Sequence, residues 1–579
     1  MTDVVLILAL AVLLAWPLGR YMARVFSGQR VFTDFLTPAE NGLYRLMGVD
    51  PARGMNWRGY GMALLWSNFA MAVVLYGVLV FQGSLPLNPD RVGGMSWDTA
   101  LHTAASFVTN TNQQHYSGQA QLSYLSQMML TWFMFVTPAV GLAALVAILR
   151  AFTGRDGNLN EHTHTNLDER TRGNLGNYYV DVTRGLTRVL IPLSLVWALL
   201  LSAQGVPSTF EGARTVQLID PQTVTAGGQT ATVTEQVIPV GPVSALVAIK
   251  QLGTNGGGYY GPNSAAPLEN PTPLSNLLQT LAILLIPIAQ VFMIGYLLGG
   301  RFGRMVFGVM ATFSLSFIAL IVALERQPNP AFAGLAAPGG NWEGKEIRFG
   351  IDPSALWATL TTQTSNGSVN AMHDSLNPLS GAVTLVDMFI NAAWGGVGVG
   401  AINFLLYVML AVFIAGLMVG RTPELFGRRL EAREIKLVSL VILLQPLLIL
   451  LPTALALGLG LANNSNPGHH GISQVLYEYT SAFANNGSGF EGLGDATVWW
   501  NMSCAAVLVL ARFIPILAPL AIAGFMAAKR VAPVTSGTLR LESPAFAVTT
   551  FSVIVIVQLL NFVPVLVLGP VAAHLAGGR

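Results

Sequence analysis

Four short polar words stand out as places where this sequence could do chemistry. They read Thr109-Asn110-Thr111-Asn112, Thr254-Asn255-Gly256-Gly257, Ser365-Asn366-Gly367-Ser368 and Asn485-Asn486-Gly487-Ser488. Laid over one another, the second position is Asn in every copy. The third is Gly in three copies and Thr in the first, and the fourth is small or polar. None of the words carries a charge. The chemistry open to them is that of backbone carbonyl oxygens, which can replace the hydration shell of a cation when several converge on one path. Gly suits this use because it adopts φ > 0 freely and lets successive carbonyls turn inward. One Asn-Gly turn is ordinary loop punctuation. Four in register, each after a stretch that suits a short helix and before a long apolar run, form a repeat. The short helices are expected to start near Asp98, Pro242, Asp352-Pro353-Ser354 and Ser473. Their C-terminal ends, partially negative, would then face the same cavity and favour a cation there.

Such turns need a frame, and the composition says which kind. Of 579 residues, 53% are hydrophobic and 10% charged, against about 25% charged in soluble chains. That excludes an ordinary cytosolic enzyme, a disordered scaffold and a nucleic-acid binder. The formal charge of +2 calls for no polyanionic partner, and the single cysteine, Cys504, excludes an internal disulfide framework. A membrane-spanning helix needs about 20 mostly apolar residues. The sequence offers ten such runs: Val4–Leu18, Tyr60–Phe81, Tyr124–Leu149, Leu186–Ala203, Leu274–Leu298, Met305–Leu324, Thr384–Met418, Leu437–Leu461, Trp500–Ala527 and Phe546–Leu568. The first is short and reads as a retained helix, since no basic stretch precedes it. The seventh is too long for one straight span, and Gly395, Gly396, Gly398 and Gly400 interrupt it.

The expected architecture is therefore an all-α polytopic membrane protein of ten transmembrane helices. Four channel-like units, each helix, short helix, turn, helix, surround a central path. The units are 59–150, 184–299, 304–420 and 437–530, with extra spans in 1–58 and 545–579. With both termini outside, the inner segments hold 22 Lys and Arg and the outer ones seven, a bias that obeys the positive-inside rule. No phosphate-binding G-x-x-x-x-G-K-[ST] loop appears, nor an Asp-Lys-Thr-Gly phosphorylation sequence. If ATP supplies the work, another chain hydrolyses it.

The words and their flanks resemble the KdpA family, the potassium-translocating subunits of Kdp potassium-uptake ATPases. The resemblance rests on Ser106–Asn112 followed by Tyr116-Ser117-Gly118, on Gly253–Gly258, on Val369-Asn370-Ala371-Met372-His373-Asp374-Ser375, on Ala484–Ser488 and on Ala415–Glu424. It covers essentially the whole chain. It implies that potassium enters from outside through a selectivity filter and passes towards a P-type ATPase subunit, KdpB, in a complex with KdpC and KdpF in the bacterial inner membrane. It also implies filter roles for Thr109, Asn110, Thr111, Asn112, Gln114, Thr254, Asn255, Gly256, Gly257, Ser365, Asn366, Gly367, Asn485, Asn486 and Gly487. The bound ion is then potassium, membrane lipids surround the chain, and no catalysis occurs in it. The rival reading is a free-standing potassium channel or ion-coupled transporter of the Trk or Ktr type.

Arg512 lies inside the ninth run, where an ionisable residue costs at least about 2.5–3.5 kcal/mol and marks a functional site by default. It is expected below the fourth turn, repelling or diverting a cation. The Gly395–Gly400 stretch is expected to be an unwound barrier beneath the third turn; close helix packing through small residues is the alternative. Arg421 reads as a positive-inside anchor, and the resemblance places it near the ATPase subunit. Gln114 is expected to tune the outer cation site. His162, His164, His469 and His470 read as solvated loop histidines. Thr215–Ile238, with its alternating Thr and Val, suits a small outer hairpin.

Overall fold

Each polar word closes a short buried helix that enters the molecule between two long ones. This is seen in a computed structural model describing residues 2–153, 173–226, 229–330, 339–466, 468–532 and 539–577. His162 and His164 lie outside the described residues. Ten helices among the described residues are long and apolar enough to cross a membrane. They are Asp3–Phe26, Trp57–Ser84, Tyr124–Thr153, Tyr178–Ala203, Pro273–Leu298, Gly300–Glu325, Val399–Met418, Ala432–Gly458, Val498–Ala527 and Pro544–Leu575, called spans one to ten. The first is longer than the hydropathy of its apolar centre suggests: it continues past Pro17 and Arg20 to Phe26.

The short helices are Trp97–Val108, Val243–Leu252, Ile351–Gln363 and Gly468–Ala484. The fourth begins earlier than Ser473. It takes in His469 and His470, which are therefore first-turn residues and not loop residues. His470 Nε2 is 2.7 Å from the Asp374 carboxylate, an anchor that sequence spacing does not reveal. Spans two and three, four and five, six and seven, and eight and nine bracket the four short helices.

Local signals explain the boundaries. Asn56 caps span two by accepting from Gly59 N at 2.9 Å. Thr272 and Ser275 cap span five reciprocally, with Pro273 at its first position. Gly299, at φ 121°, separates spans five and six. The seventh apolar run is two helices, Pro378–Ile390 and Val399–Met418, with an unwound stretch between.

Span three lies inside the bundle, 83% buried over its apolar window, whereas spans two and ten are 22% buried and face outward. Span one packs along span five so closely that a Cβ built on Gly19 would stand 2.4 Å from the Ala289 carbonyl oxygen. Small residues permit that approach between membrane helices. The expected hairpin is present. Arg214–Ala226 pairs antiparallel with Gln229–Ile238, with a register irregularity between Gln217 and Gln222.

Candidate functional site

The four turns share one backbone plan, and it corrects the alignment made on the Asn residues. Thr111 N bonds Ser106 O at 3.0 Å, Asn255 N bonds Lys250 O at 3.0 Å, Asn366 N bonds Thr361 O at 2.9 Å and Asn486 N bonds Ser481 O at 2.9 Å. Positive φ falls immediately before and after those residues: Asn110 and Asn112, Thr254 and Gly256, Ser365 and Gly367, Asn485 and Gly487. The first word is thus shifted by one. Thr111, not Asn110, matches the three Asn residues, and Asn112 takes the position that Gly fills elsewhere. Asn is the residue other than Gly that tolerates this conformation best, so both Asn110 and Asn112 suit the left-handed region and the sequence alone leaves the register open. The shift brings in Gln113, absent from the sequence-based set, as the partner of Gly257, Ser368 and Ser488.

The turns close into a ring. A Cβ built on Gly256 would stand 1.8 Å from the Asn366 carbonyl oxygen, one on Gly367 1.9 Å from that of Asn486, and one on Gly487 2.1 Å from that of Thr111. Asn112 completes the circuit by donating from Nδ2 to Gly256 O at 3.1 Å. Copies one to four therefore follow one another around an axis; copies two to four make the contact through a glycine where side-chain bulk has no room, and copy one makes it through the Asn112 side chain. Side chains tie the copies together as well. Asn366 Nδ2 donates to Lys250 O at 2.9 Å, and Asn486 Nδ2 donates to Thr361 O at 2.8 Å. Asn255 Nδ2 donates to Asn110 Oδ1 at 2.5 Å, and Asn485 Nδ2 to Thr111 Oγ1 at 3.1 Å. The Asn side-chain nitrogens are thereby occupied in holding the ring, while Asn112 Oδ1 and Asn255 Oδ1 have no hydrogen-bond partner among the described residues; backbone carbonyls and these two oxygens are the groups available to a cation.

Behind the turns the support is ionic. Lys250 and Glu269, both fully buried, pair with each other, and Glu269 also accepts from Tyr260 N at 2.9 Å. Gln113 Nε2 donates to Glu478 Oε1 at 2.5 Å, and Ser106 Oγ donates to Gln113 O at 3.0 Å. His115 donates from Nε2 to Glu478 at 3.2 Å and from Nδ1 to Asn501 Oδ1 at 2.7 Å. Burial pulls the His115 imidazole down, but the charges of Asp495 and Glu478 and these hydrogen bonds outweigh it and hold it up at about 9. Gln114 clips copy one to copy two: its Nε2 donates to Gly258 O at 3.0 Å and its Oε1 accepts from Gly258 N at 2.8 Å.

On one side of the ring opens a cavity of about 840 Å³. Gln113, Gly257, Gly367 and Gly487 border it, and its walls carry Glu346, Glu478, Glu491 and Asp495 against Lys345 and His115. The acidic excess suits a cation. Glu491, accepting from His373 N at 2.7 Å and Asp374 N at 3.1 Å, is pushed up to about 7 by burial.

On the other side the path is filled. Asn391, at φ 42°, turns the chain out of the helix Pro378–Ile390, and residues 391–398 run under the second and third turns. Val397 N donates to Thr254 Oγ1 at 3.0 Å, and Ser365 Oγ to Asn391 Oδ1 at 2.8 Å. Gly395 N donates to Gln363 O at 2.8 Å. Gln290 of span five pins the stretch, accepting from Gly398 N at 2.7 Å and donating to Trp394 O at 3.3 Å. The glycines are needed for contact: a Cβ built on Gly398 would stand 2.0 Å from Gly141 O, and one on Gly400 2.3 Å from Gly395 Cα. Gly396 sits against Ser365 and Thr254. Arg512 is buried beside this stretch, its Nη2 without a hydrogen-bond partner among the described residues and 3.6 Å from the point a Gly141 Cβ would occupy. A smaller cavity of about 40 Å³ lies to one side, bordered by Asn391, Asn403, Asn485, Val441 and Gln445. Arg421 is exposed at the far end of span seven, roughly 30 Å from the turns at 1.5 Å per residue, and is not part of this constellation.

Fold and ring together define a polytopic membrane protein of the four-unit, channel-like class, with a plugged central path. Within that class the chain belongs to the family described as "KdpA: Potassium-transporting ATPase A subunit", whose model matches residues 5–575. The chain is 48% identical over 585 residues to the potassium-transporting ATPase potassium-binding subunit of Gloeobacter violaceus, covering 99% of this chain and 98% of that one. It is 45% identical over 576 residues to the protein of the same description from Synechocystis, covering 98% of each. Among solved structures, the potassium transporter TrkH from Vibrio parahaemolyticus matches with a TM-score of 0.47 at 14% identity, over 88% of this chain and 97% of that chain.

Proposed function

We propose that this chain is the potassium-binding and translocating subunit of an ATP-driven, high-affinity potassium importer. Membership of the potassium-transporting ATPase A-subunit family carries the assignment; the carbonyl ring supplies its chemistry. Potassium enters the acidic cavity and sheds water against carbonyls of Thr109–Asn112, Thr254–Gly257, Ser365–Ser368 and Asn485–Ser488. Uncharged oxygens at fixed spacing bind a monovalent cation firmly enough for entry and loosely enough for release. Straight passage is blocked by residues 391–398, and the Arg512 guanidinium beside them repels the ion. The side cavity at Asn391, Asn403 and Gln445 gives the ion a lateral course towards a partner whose ATP cycle supplies the work.

The partners in this reading are KdpB as the P-type ATPase subunit, with KdpC and KdpF. The Arg421 region is the contact with the ATPase subunit, and the hairpin at Arg214–Ile238 a contact for an extracytoplasmic partner domain. The units 59–150, 184–299, 304–420 and 437–530 are the four filter-bearing repeats, and both termini lie outside the bacterial inner membrane. The chain itself breaks no covalent bond.

Purification in mild detergent tests the assignment. The expected result is co-isolation with a P-type ATPase chain and potassium-stimulated ATP hydrolysis by the complex. A chain that isolates alone and conducts potassium without ATP would support the Trk- or Ktr-type reading instead.

A further inference from the structure

We propose that His115, Glu478 and Cys504 form a binding site for a thiophilic divalent cation, of the Zn²⁺ or Cd²⁺ kind, behind the first turn of the ring. One ligand atom from each, an imidazole nitrogen, a carboxylate oxygen and the thiol sulfur, lie within 4.8 Å of one another. They come from three elements: the segment after the first turn, the fourth short helix and span nine. All three side chains are buried. Ligand distances of about 2.0–2.3 Å around one tetrahedral ion put donors about 3.4–3.8 Å apart, so no pair needs to close by more than about 1.4 Å.

The donor set decides the class of ion. Nitrogen, sulfur and carboxylate oxygen together suit zinc-group metals and do not suit potassium or magnesium. The surroundings are those of a metal-binding histidine. His115 donates its other ring nitrogen, Nδ1, to Asn501 Oδ1 at 2.7 Å, and Asn501 donates onward to Asp98 Oδ2 at 2.8 Å. Binding displaces the Nε2 proton to solvent and leaves Nε2 as the ligating atom, with its ring orientation already fixed. His115 and Glu478 border the 840 Å³ cavity, so an ion has a way in, and water from the cavity supplies a fourth ligand. Glu478 is also the anchor of Gln113. A divalent ion held there draws the carboxylate away from Gln113 and adds positive charge beside the ring. Occupancy therefore inhibits potassium entry.

The test uses the purified full-length chain and the intact complex, with Cd²⁺ and Zn²⁺ as probes. Cys504 is the sole cysteine, so the thiolate-to-cadmium charge-transfer absorbance reports this site alone. The expected result is a band that saturates at one Cd²⁺ per chain. Cys504→Ser and Cys504→Ala should abolish it and weaken Cd²⁺ inhibition of potassium-stimulated ATP hydrolysis by at least about tenfold, leaving metal-free activity unchanged. No band in the wild-type chain, or equal calorimetric Cd²⁺ affinity in both variants, overturns the proposal. The absorbance needs no transport, so its outcome is independent of the potassium assignment.

Discussion

Replacing Gly367 with Ala challenges the ring where the third and fourth turns meet. The residue sits at φ 83°. Its new Cβ would stand 1.9 Å from the Asn486 carbonyl oxygen and 2.6 Å from the carbon of that group. Atoms cannot approach so closely, so one of the two turns must move. The left-handed conformation costs an L residue about 1–2 kcal/mol, and displacing well-packed neighbours about 1–3 kcal/mol more. If about 2 kcal/mol of this falls on the geometry that holds the ion, potassium binding weakens about 30-fold, at 1.4 kcal/mol per factor of ten. Titration calorimetry with K⁺ and Na⁺ reads the loss, and thermal unfolding of the same sample shows whether the fold persists. Gly420→Ala is the control. It has φ 71° and no atom within 4 Å of its built Cβ, at the far end of span seven, so it carries strain without collision and keeps potassium affinity. Wild-type affinity and selectivity in a folded Gly367→Ala protein would refute the ring.

The region beneath the ring gives two further tests. Gln290→Leu strips Gly398 N of its acceptor, a cost of about 1–3 kcal/mol for a buried donor; it should loosen the plug and raise passive potassium leak into vesicles, and an unchanged leak rate counts against a barrier. Arg512→Gln removes the buried charge beside the plug and should impair potassium-stimulated hydrolysis and uptake by the complex; full activity of both would sink the assigned role. The acidic cavity supplies a pH test. Burial holds Glu491 up at about 7, so it gains its negative charge as pH rises through 7 and loses it as pH falls. Apparent potassium affinity should accordingly drop several-fold from pH 8 to pH 6, and Glu491→Gln should flatten that step; an identical pH profile in the variant contradicts the assignment.

Much of this architecture was legible from residue types because a bilayer imposes simple rules. Long apolar runs announce spans, and the Gly395–Gly400 cluster announced the broken seventh one. Uncharged Asn-Gly words between apolar runs marked the turns. What stayed hidden depends on contacts between distant residues. The first turn's register is ambiguous in the sequence because Asn and Gly share the left-handed region, so Asn112 can stand where Gly256, Gly367 and Gly487 stand. The same ambiguity hides Gln113, whose anchor, Glu478, is far away in the sequence. Gln290 reads as one polar residue in an apolar helix, and only the fold brings it to the plug. The early start of the fourth short helix was concealed by His469 and His470, whose anchoring includes Asp374 in another unit.

The most direct test of the central claim is a map of the ion itself. Crystals of the complex grown with Rb⁺ in place of K⁺ should give an anomalous-scattering peak on the axis between the Thr111, Asn255, Asn366 and Asn486 carbonyls. That peak should vanish for Gly367→Ala. A peak confined to the acidic cavity, or none at the ring in a protein that still transports Rb⁺, would contradict the account.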